Sequence, residues 1–557
     1  MAGENDKISS LFKTKKILLA SWLCSDENFY QNRDWIPLFR EFFGNLIVFS
    51  PRDSYLRDGK EEMNKKFLEI ISKEKPDYVL CSLGHEEFYP ETLMKIKSVS
   101  PNSIIVNFFG DDNCRFDDWS RYYALFFDYI LATEKDLSDY KKDGIKDVYF
   151  LHGVNTGLLK PLNIEKKFDV TFIGMPIRDR HSYIKYLCKK GIKIRLFGPG
   201  WQDYKDLKEI YGDFLSSEDY IKVINQSKIN LNFSKNILQK KGKKDTQLKG
   251  RILEILSCNA FLLIEYFPDI HLFFKNKYVN KVAFKTKEEL LKKINYYLKN
   301  KGEREKIAGI FRKEVIKNYD WRNLFRKFFK ITLKSKESFK PLPKLNKKIS
   351  VLSENDMNLG IEEIKEKVRN SDYVCFSKNW NESLDFRNFF QAYSLEKSKK
   401  PISCCDYYVF SRNLGDYLWF MSKKAFKTIP KQEFDNLLNI NQLMITKDYF
   451  LKNFSKFKNA FQGKAIDFID EDNTVFISIP LIRVEKLKTA RYKSMKSAFR
   501  MKFVDKLYSL SYKKKLFLNG YVYNLLFFGL TKENFILIHI FNMLFNKNNW
   551  RKLKNLF

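Results

Sequence analysis

Signatures of clustered catalytic chemistry are scarce in this chain. Of its 557 residues eight are cysteine, and no Cys-x-x-Cys occurs. That excludes a disulfide scaffold and a zinc ribbon and makes a reducing, cytoplasmic setting the expectation. Five histidines are scattered along the sequence. The run Gly84-His85-Glu86-Glu87 lacks the second histidine of a zincin motif, and His181, His271 and His539 read as packing or surface residues. No GxxxxGKS/T, GxGxxG or GxSxG is present, so P-loop, dinucleotide-fingerprint and nucleophile-elbow chemistry are excluded. Glycine (22) and proline (14) are too few for a collagen-like or linker-like chain. No stretch reaches about 18 uncharged apolar residues, so no membrane span is expected. The opening MAGENDKISSLFKTKK carries no apolar run of the signal-peptide kind.

What the chain does have is positive charge and aromatic bulk. Lys and Arg number 101 against 67 Asp and Glu, a net charge of +34. Phe (52) and Tyr (30) far outnumber Trp (8). Lys, Asn, Ile, Phe and Tyr rise together under AT-rich coding, which explains the charge without any partner. The functional alternatives are an anionic ligand, an anionic membrane face or nucleic acid. A hydrophobic content of 44% excludes bulk disorder, and the length suits three or four domains.

Short apolar runs alternate with amphipathic stretches, the pattern of βα units and a parallel sheet. Strands are predicted at 16–21, 46–50, 78–82, 103–109, 129–133 and 148–151, with helices at 35–43, 60–73 and 91–98. The pattern then restarts, with strands at 169–173, 194–197, 229–233 and 260–265 and helices at 182–190, 220–226, 250–257 and 287–299. Ser216 is placed as an N-cap, with Glu218 and Asp219 in the first turn. The expected fold class is α/β, with two Rossmann-like domains facing a cleft. Residues 1–165 form the first domain and 166–333 the second. A proline- and lysine-containing linker covers 334–348, an accessory α/β region 349–490, and a basic, aromatic helical tail 491–557. Within the accessory region 371–376 and 443–449 read as strands and 385–397 as a helix.

The most informative constellation lies in the second domain. Asn230-Leu231-Asn232-Phe233-Ser234 is followed by Lys249-Gly250-Arg251-Ile252-Leu253-Glu254-Ile255-Leu256-Ser257-Cys258-Asn259-Ala260 and then Phe267-Pro268-Asp269. Further on come Glu288-Glu289-Leu290, Tyr296-Tyr297-Leu298, Glu303-Arg304-Glu305 and Asn318-Tyr319-Asp320-Trp321. Over about residues 75–330 this resembles glycosyltransferases of the GT-B fold, in particular the CgeB-like, spore-maturation group. The resemblance implies sugar transfer from a nucleotide-sugar donor, and its donor-binding positions fall on Asn232, Ser234, Lys249, Arg251 and Glu254. The physics is compatible: a carboxylate near a helix start can accept both ribose hydroxyls, and cations one turn away can neutralise a diphosphate. The bland alternative for Glu254 is a solvated helix face. Two departures stand out. Asn259 replaces the family's glycine, though Asn tolerates a left-handed turn. Thr246, beside Asp245, stands where many retaining members carry a glutamate.

The loop after strand 169–173 supplies Gly174, where the backbone can approach phosphates, with Arg178 and Arg180 in reach of them. An ordinary βα turn with surface arginines is the alternative. Gly198-Pro199-Gly200-Trp201 matches another family segment, with Trp201 either lining the cleft or packing behind it. In the first domain Asp111 and Asp112 close a strand, and a carboxylate there suits a general base for an acceptor hydroxyl. His152, in the His152-Gly153-Val154-Asn155 segment between the domains, joins them as a catalytic candidate. The resemblance implies no metal or other cofactor, since basic side chains and helix dipoles hold the diphosphate.

The accessory region resembles a degenerate GT-A module, with Ser377-Lys378-Asn379 where a metal-binding carboxylate pair would stand; an unrelated α/β domain is the alternative. In the tail, Leu516–Leu530 and Phe535–Phe545 are flanked by Lys513-Lys514-Lys515 and by Arg551, Lys552 and Lys554. That composition suits an interfacial hairpin on an anionic membrane, or a pair of helices docked on the core. The functional expectation is a glycosyltransferase of cell-surface polysaccharide or glycoprotein assembly, cytoplasmic or peripheral on the inner membrane face. Its acceptor is a glycan, a lipid-linked glycan or a protein. A catalytically inactive nucleotide- or sugar-binding scaffold is the second reading. Nucleic-acid binding is the third, disfavoured because the basic residues are dispersed and no recognition motif appears.

Overall fold

The structure is a computed structural model, and it describes residues 12–21, 30–83, 87–110, 115–212, 215–236, 246–333, 342–377, 381–384, 386–411, 415–420, 440–462, 466 and 468–485. Asp111, Asp112, Asp245, Lys378, Asn379, His539 and the tail 491–557 lie outside the described residues.

The first sheet contains β1 (Lys16–Ser21), β2 (Asn45–Phe49), β3 (Tyr78–Ser82), β4 (Ile104–Phe109), β5 (Tyr129–Ala132) and β6 (Val148–Phe150). All pair in parallel in the order β2-β1-β3-β4-β5-β6. Successive side chains of a strand point to opposite faces, and both faces are covered. Ile17, Leu19, Leu80, Val106, Phe108 and Leu131 share one core; Leu18, Ala20, Val79, Cys81, Ile105, Ile130 and Ala132 share the other. Burial on both faces is why these strands read as continuous apolar runs rather than as alternating ones.

The second sheet contains β7 (Phe168–Ile173), β8 (Ile194–Phe197), β9 (Ser227–Asn232), β10 (Leu262–Glu265) and β11 (Ala283–Phe284). It is again wholly parallel, in the order β11-β10-β9-β7-β8. In both sheets the second strand lies on one side of the first and the third on the other. The order therefore reverses beside β1 in one sheet and beside β7 in the other, and open α/β sheets bind ligands at the carboxyl ends of strands at such a point.

The helix Trp321–Thr332 follows the second sheet in sequence but packs into the first. Trp321, Phe325, Phe328 and Phe329 are buried with Trp35, Phe39, Phe43 and Tyr78. The Trp35 ring meets Trp321 and Phe325 edge-on at 5.5 and 5.3 Å. The two strands of chain that join the domains are tied together, since Val154 N donates to Tyr319 O and Trp321 N to Val154 O. Asp320 caps the new helix by accepting from Arg322 N and Asn323 N. Its other carboxylate oxygen accepts from the Thr156 hydroxyl. Gly153 allows this close crossing: a Cβ there would sit 2.8 Å from Leu324 and Trp321.

A third, mixed sheet contains β12 (Ile349–Leu352), β13 (Tyr373–Phe376), β14 (Asn381–Ser383), β15 (Ile402–Ser411), β16 (Gly415–Phe420), β17 (Leu443–Thr446) and β18 (Thr474–Glu485). Its order is β12-β13-β17-β15-β18-β14, with β16 on β15. Residues 443–449 do not form one strand: β17 stops at Thr446 and a helix, Lys447–Lys452, begins. Phe390 and Tyr393 of the helix Arg387–Ser398, with Ile477, Ile479 and Leu481 of β18, join the second core of the first sheet. Among the described residues no helix is long and apolar enough to cross a membrane.

Candidate functional site

The sequence-predicted donor residues converge at the carboxyl ends of β7 and β9, where the second sheet reverses order. Gly174 follows β7 directly, and its N–H donates to Phe197 O at 2.8 Å. Gly198 ends β8 with φ of 108°, a left-handed-side conformation that favours glycine. A Cβ on Gly198 would lie 3.2 Å from three backbone atoms of Gly174, so the two turns are stacked backbone on backbone. Trp201 is fully buried behind them. Its indole N–H donates to Gly174 O and its ring meets Phe172 edge-on at 6.0 Å. Trp201 therefore packs behind the turn and shapes it from the protein side.

Arg180 starts the helix Arg180–Lys189 and is 5% exposed. It ties the two strand ends together, donating to Met175 O at 3.1 Å and to Phe233 O at 3.2 Å. Burial, and then the charge of Arg251, push its guanidinium pKa down, to about 10. Arg251 reaches the same place from the opposite side, since a Cβ on Gly174 would lie 2.9 Å from Arg251 Nη1. Two guanidinium groups thus crowd one glycine turn, an arrangement an anion would relieve. Arg178 is exposed on the loop with φ of 59°.

Asn232 and Ser234 close β9 and are fully buried. Ser234 is satisfied internally: its N–H donates to Glu265 Oε2 and its hydroxyl to Glu265 O, each at 2.9 Å. Asn232 is not, and neither its amide nitrogen nor its oxygen has a partner among the described residues. The same holds for Asn236 Nδ2, Arg180 Nε and Arg251 Nε. Buried polar atoms are almost always paired, by protein or by something bound. Lys235 is neutralised by Asp179 at 2.5 Å and Glu265 at 3.2 Å. Lys249 donates to Asn236 Oδ1 at 2.5 Å.

The helix Gly250–Ser257 faces this pocket with its N-terminus, and Lys249 at the N-cap makes no side-chain cap. Ile252 N–H is used on Lys249 O at 2.9 Å, which leaves the N–H groups of Gly250 and Arg251 as the donors this helix start offers an anion. His152, from the crossing between the domains, lies against that end, 3.6 Å from where a Gly250 Cβ would be. Glu254 sits one turn further on, and it is not a solvated helix face. Its Oε1 accepts from Arg33 Nη2 at 3.1 Å and its Oε2 from the Tyr220 hydroxyl at 2.5 Å. Arg33 belongs to the first domain, on the helix Tyr30–Phe42. Neither Arg33 nor Tyr220 carries a signal in the sequence, because 221 and 34 residues separate them from Glu254. The turn after the helix is kept by Asn259 in the left-handed region, φ 55°. Thr246 forms an isolated antiparallel bridge with Lys235. Among the described residues no group of three or more His, Cys, Asp or Glu is gathered as a metal site.

Two successive parallel Rossmann-like sheets, with the closing helix returned to the first sheet, make the GT-B architecture. Residues 180–330 match the family described as Glycosyl transferase-like. No curated protein matches the chain. Among solved structures, T4 phage β-glucosyltransferase is 14% identical, covering 57% of this chain and 100% of its own, with a TM-score of 0.38. A lipopolysaccharide outer-core galactosyltransferase is 13% identical with the same coverages and TM-score. A glycosyltransferase involved in avilamycin A biosynthesis is 9% identical, covering 58% and 100%, with a TM-score of 0.40.

Proposed function

We propose that this protein is a glycosyltransferase that moves a hexosyl unit from a nucleotide-sugar to an acceptor hydroxyl bound against the first domain. The observation that carries the reading is the set of buried, unpartnered polar atoms of Asn232, Asn236, Arg180 and Arg251 beneath an open helix N-terminus. Crowded guanidinium groups and free backbone N–H groups suit a diphosphate, and a carboxylate one helical turn along suits a ribose diol. The match of residues 180–330 to a glycosyl-transferring family supports the same reading.

In this mechanism the bond from the anomeric carbon to the β-phosphate oxygen breaks as a bond to the acceptor oxygen forms. Negative charge grows on the departing diphosphate, beside Arg251 and the helix terminus, with the charge of Arg180 held behind them on Met175 O and Phe233 O, and preorganised charge of that kind lowers the barrier. Guanidinium groups rather than a metal ion serve as the counter-charge. The acceptor proton goes to a base, for which His152 and, by the resemblance, Asp111 and Asp112 are the candidates. The acceptor is a glycan, a lipid-linked glycan or a protein of cell-surface assembly, and the setting is the cytoplasmic side.

Calorimetry with UDP-, GDP- and dTDP-sugars tests the donor site. One of them binds the wild type, and Glu254→Gln weakens that binding by about tenfold or more, the scale of a lost charge-assisted hydrogen bond. Unchanged affinity in the variant removes Glu254 from the site. A second reading, a nucleotide-binding protein without turnover, draws on Thr246, which offers a hydroxyl where the resemblance implies a glutamate. Tight donor binding with no transfer to any acceptor would favour it.

A further inference from the structure

The carboxylate that the donor reading gives to the ribose is held from two domains at once. Glu254 Oε2 accepts from the Tyr220 hydroxyl at 2.5 Å, and Tyr220 lies in the same domain, on the helix Ser217–Gln226. Glu254 Oε1 accepts from Arg33 Nη2 at 3.1 Å, and Arg33 stands on the helix Tyr30–Phe42 of the first domain. Both side chains of this ion pair are largely shielded, 11% and 19% exposed. An ionised carboxylate offers about four lone-pair sites, shared equally between its oxygens. One hydrogen bond on each oxygen therefore leaves acceptor capacity on each, side by side, which matches the two neighbouring hydroxyls of a ribose.

We propose that Arg33 is a positioning residue: from the first domain it sets the Glu254 carboxylate to receive both ribose hydroxyls, and so makes the site select ribonucleoside over 2′-deoxyribonucleoside diphosphates. The proposal rests on the donor-site reading above and adds to it the class of nucleotide and the residue that enforces the choice.

Arg33 is itself held in place. Asp34 accepts from it twice, Nε to Oδ1 at 2.7 Å and Nη2 to Oδ2 at 3.0 Å. Nη2 thus donates to Asp34 and to Glu254 together, which fixes the plane of the guanidinium as well as its place. Asp34 is 2% exposed, and the next residue, Trp35, is fully buried with the rings of Phe39, Trp321 and Phe325 at 6.2, 5.5 and 5.3 Å. The helix that presents Arg33 is anchored by that cluster. The terminal torsion of a glutamate is otherwise broad. Gripped at both oxygens, the carboxylate keeps one plane; held by Tyr220 alone, it pivots about Oε2 and loses its aim on the second hydroxyl. A site that hydrogen-bonds a substrate hydroxyl at a set place also rejects the analogue without it, since a shielded acceptor is then left unpaired.

The test is calorimetry on the wild type and Arg33→Gln, with whichever of UDP, GDP, ADP and CDP binds the wild type and with its 2′-deoxy analogue. The wild type binds the ribonucleotide about tenfold or more tightly, the scale of one hydrogen bond to a charged group. Arg33→Gln weakens the ribonucleotide about five- to tenfold and leaves the deoxy form within about twofold, so the preference all but disappears. A merely structural loss weakens both ligands by one factor and keeps their ratio. Should Arg33→Gln fold poorly because Asp34 is left without its cation, Arg33→Gln/Asp34→Asn removes both charges and carries the same expected ratio. Equal binding of the two forms by the wild type, a preference that survives in the variant, or binding of dTDP alone overturns the assignment. Glu254→Gln tells this failure from that of the donor reading. If it loses the ribonucleotide while Arg33→Gln keeps the full preference, Glu254 stays in the donor site and only the role of Arg33 falls. If no nucleoside diphosphate of either kind binds, the donor reading fails and the role of Arg33 falls with it.

Discussion

At the scale of single residues, the proposed donor site turns on two glycine turns and the side chains set against them. Gly198 combines a φ of 108° with a Cβ position 3.2 Å from the Gly174 backbone. Gly198→Ala must strain its own backbone and displace the neighbouring turn, at a cost of roughly 1–3 kcal/mol. Urea unfolding of the variant should show that loss, and donor affinity should fall with it, because the displaced turn carries Gly174 away from Arg251. Tyr220 offers a milder probe. Burial, and then the Glu254 charge, hold its hydroxyl well above the ordinary phenol range, so it remains a donor through neutral and alkaline pH. Tyr220→Phe should raise the donor dissociation constant about five- to tenfold, the scale of one ordinary hydrogen bond, because Tyr220 acts only through the orientation of Glu254. The pH profile of binding should keep its alkaline side, since the group removed does not titrate there. A new alkaline limb in the wild type that vanishes in the variant would contradict this.

At the scale of elements, the strands of both parallel sheets were legible, each being short, apolar and bounded by polar turns, except β11, whose two residues are too few to show a pattern. Strand β3 and the helices Gly250–Ser257 and Lys287–Lys299 fall on the residues read from the pattern. The N-cap at Ser216 was legible for a local reason as well, and its hydroxyl accepts from Asp219 N. What could not be read is where an amphipathic helix docks. The helix Trp321–Thr332 carries its aromatic face wherever it goes, and only the crossing at Val154 and Asp320 sends it to the first sheet. Thr446 illustrates a different limit: the segment read as a strand runs on through Tyr449, yet from Lys447 the chain turns helical and buries Phe450. The Arg33–Glu254 pair was illegible for the same reason as the docking, since no periodicity links residues in different domains. The dependence of the first domain on the returning helix can be measured. Phe325 is fully buried against Trp35 and Phe39. Phe325→Ala should cost about 3–5 kcal/mol. The protection lost in hydrogen exchange should appear in β1, β3 and β4, some 200 or more residues earlier in the chain, rather than in the second sheet. Asp320→Ala, which removes the cap and the Thr156 contact, should act in the same direction at about 0.5–2 kcal/mol.

At the scale of the whole molecule, the first sheet is the hub. One of its faces is closed by the helix returning from the second domain and the other, in part, by the third region. Tyr122 meets Phe390 and Tyr393 at 5.5 and 6.1 Å, and Phe126 meets Phe386 and Phe390 at 5.4 and 5.8 Å. Asp143, 3% exposed, binds Arg121 at 2.8 Å and Lys397 of the third region at 3.3 Å, so the seam has a polar clasp beside its aromatic core. Independent modules joined by a linker would each bury their own apolar surface. Here Cys405, Ile477, Ile479 and Leu481 complete a core that begins in β1 and β3. The third region therefore has a core of its own, around Leu352, Phe376, Phe450 and Phe457, and also completes that of the first domain. A chain ending at residue 333 keeps both parallel sheets and every residue of the proposed donor site, yet it uncovers Tyr122, Phe126 and their neighbours. An exposed aromatic patch of that kind drives association and dye binding. The shortened chain should elute as oligomers, bind anilinonaphthalene sulfonate and melt below a chain ending at residue 485. Tyr122→Ser with Phe126→Ser in the shortened chain should restore a monomer, because the same change that would damage the core of the full chain only removes exposed apolar surface in the short one. A monomeric, dye-silent chain of 333 residues with the full chain's melting temperature would mean that the seam is a loose contact between self-sufficient domains.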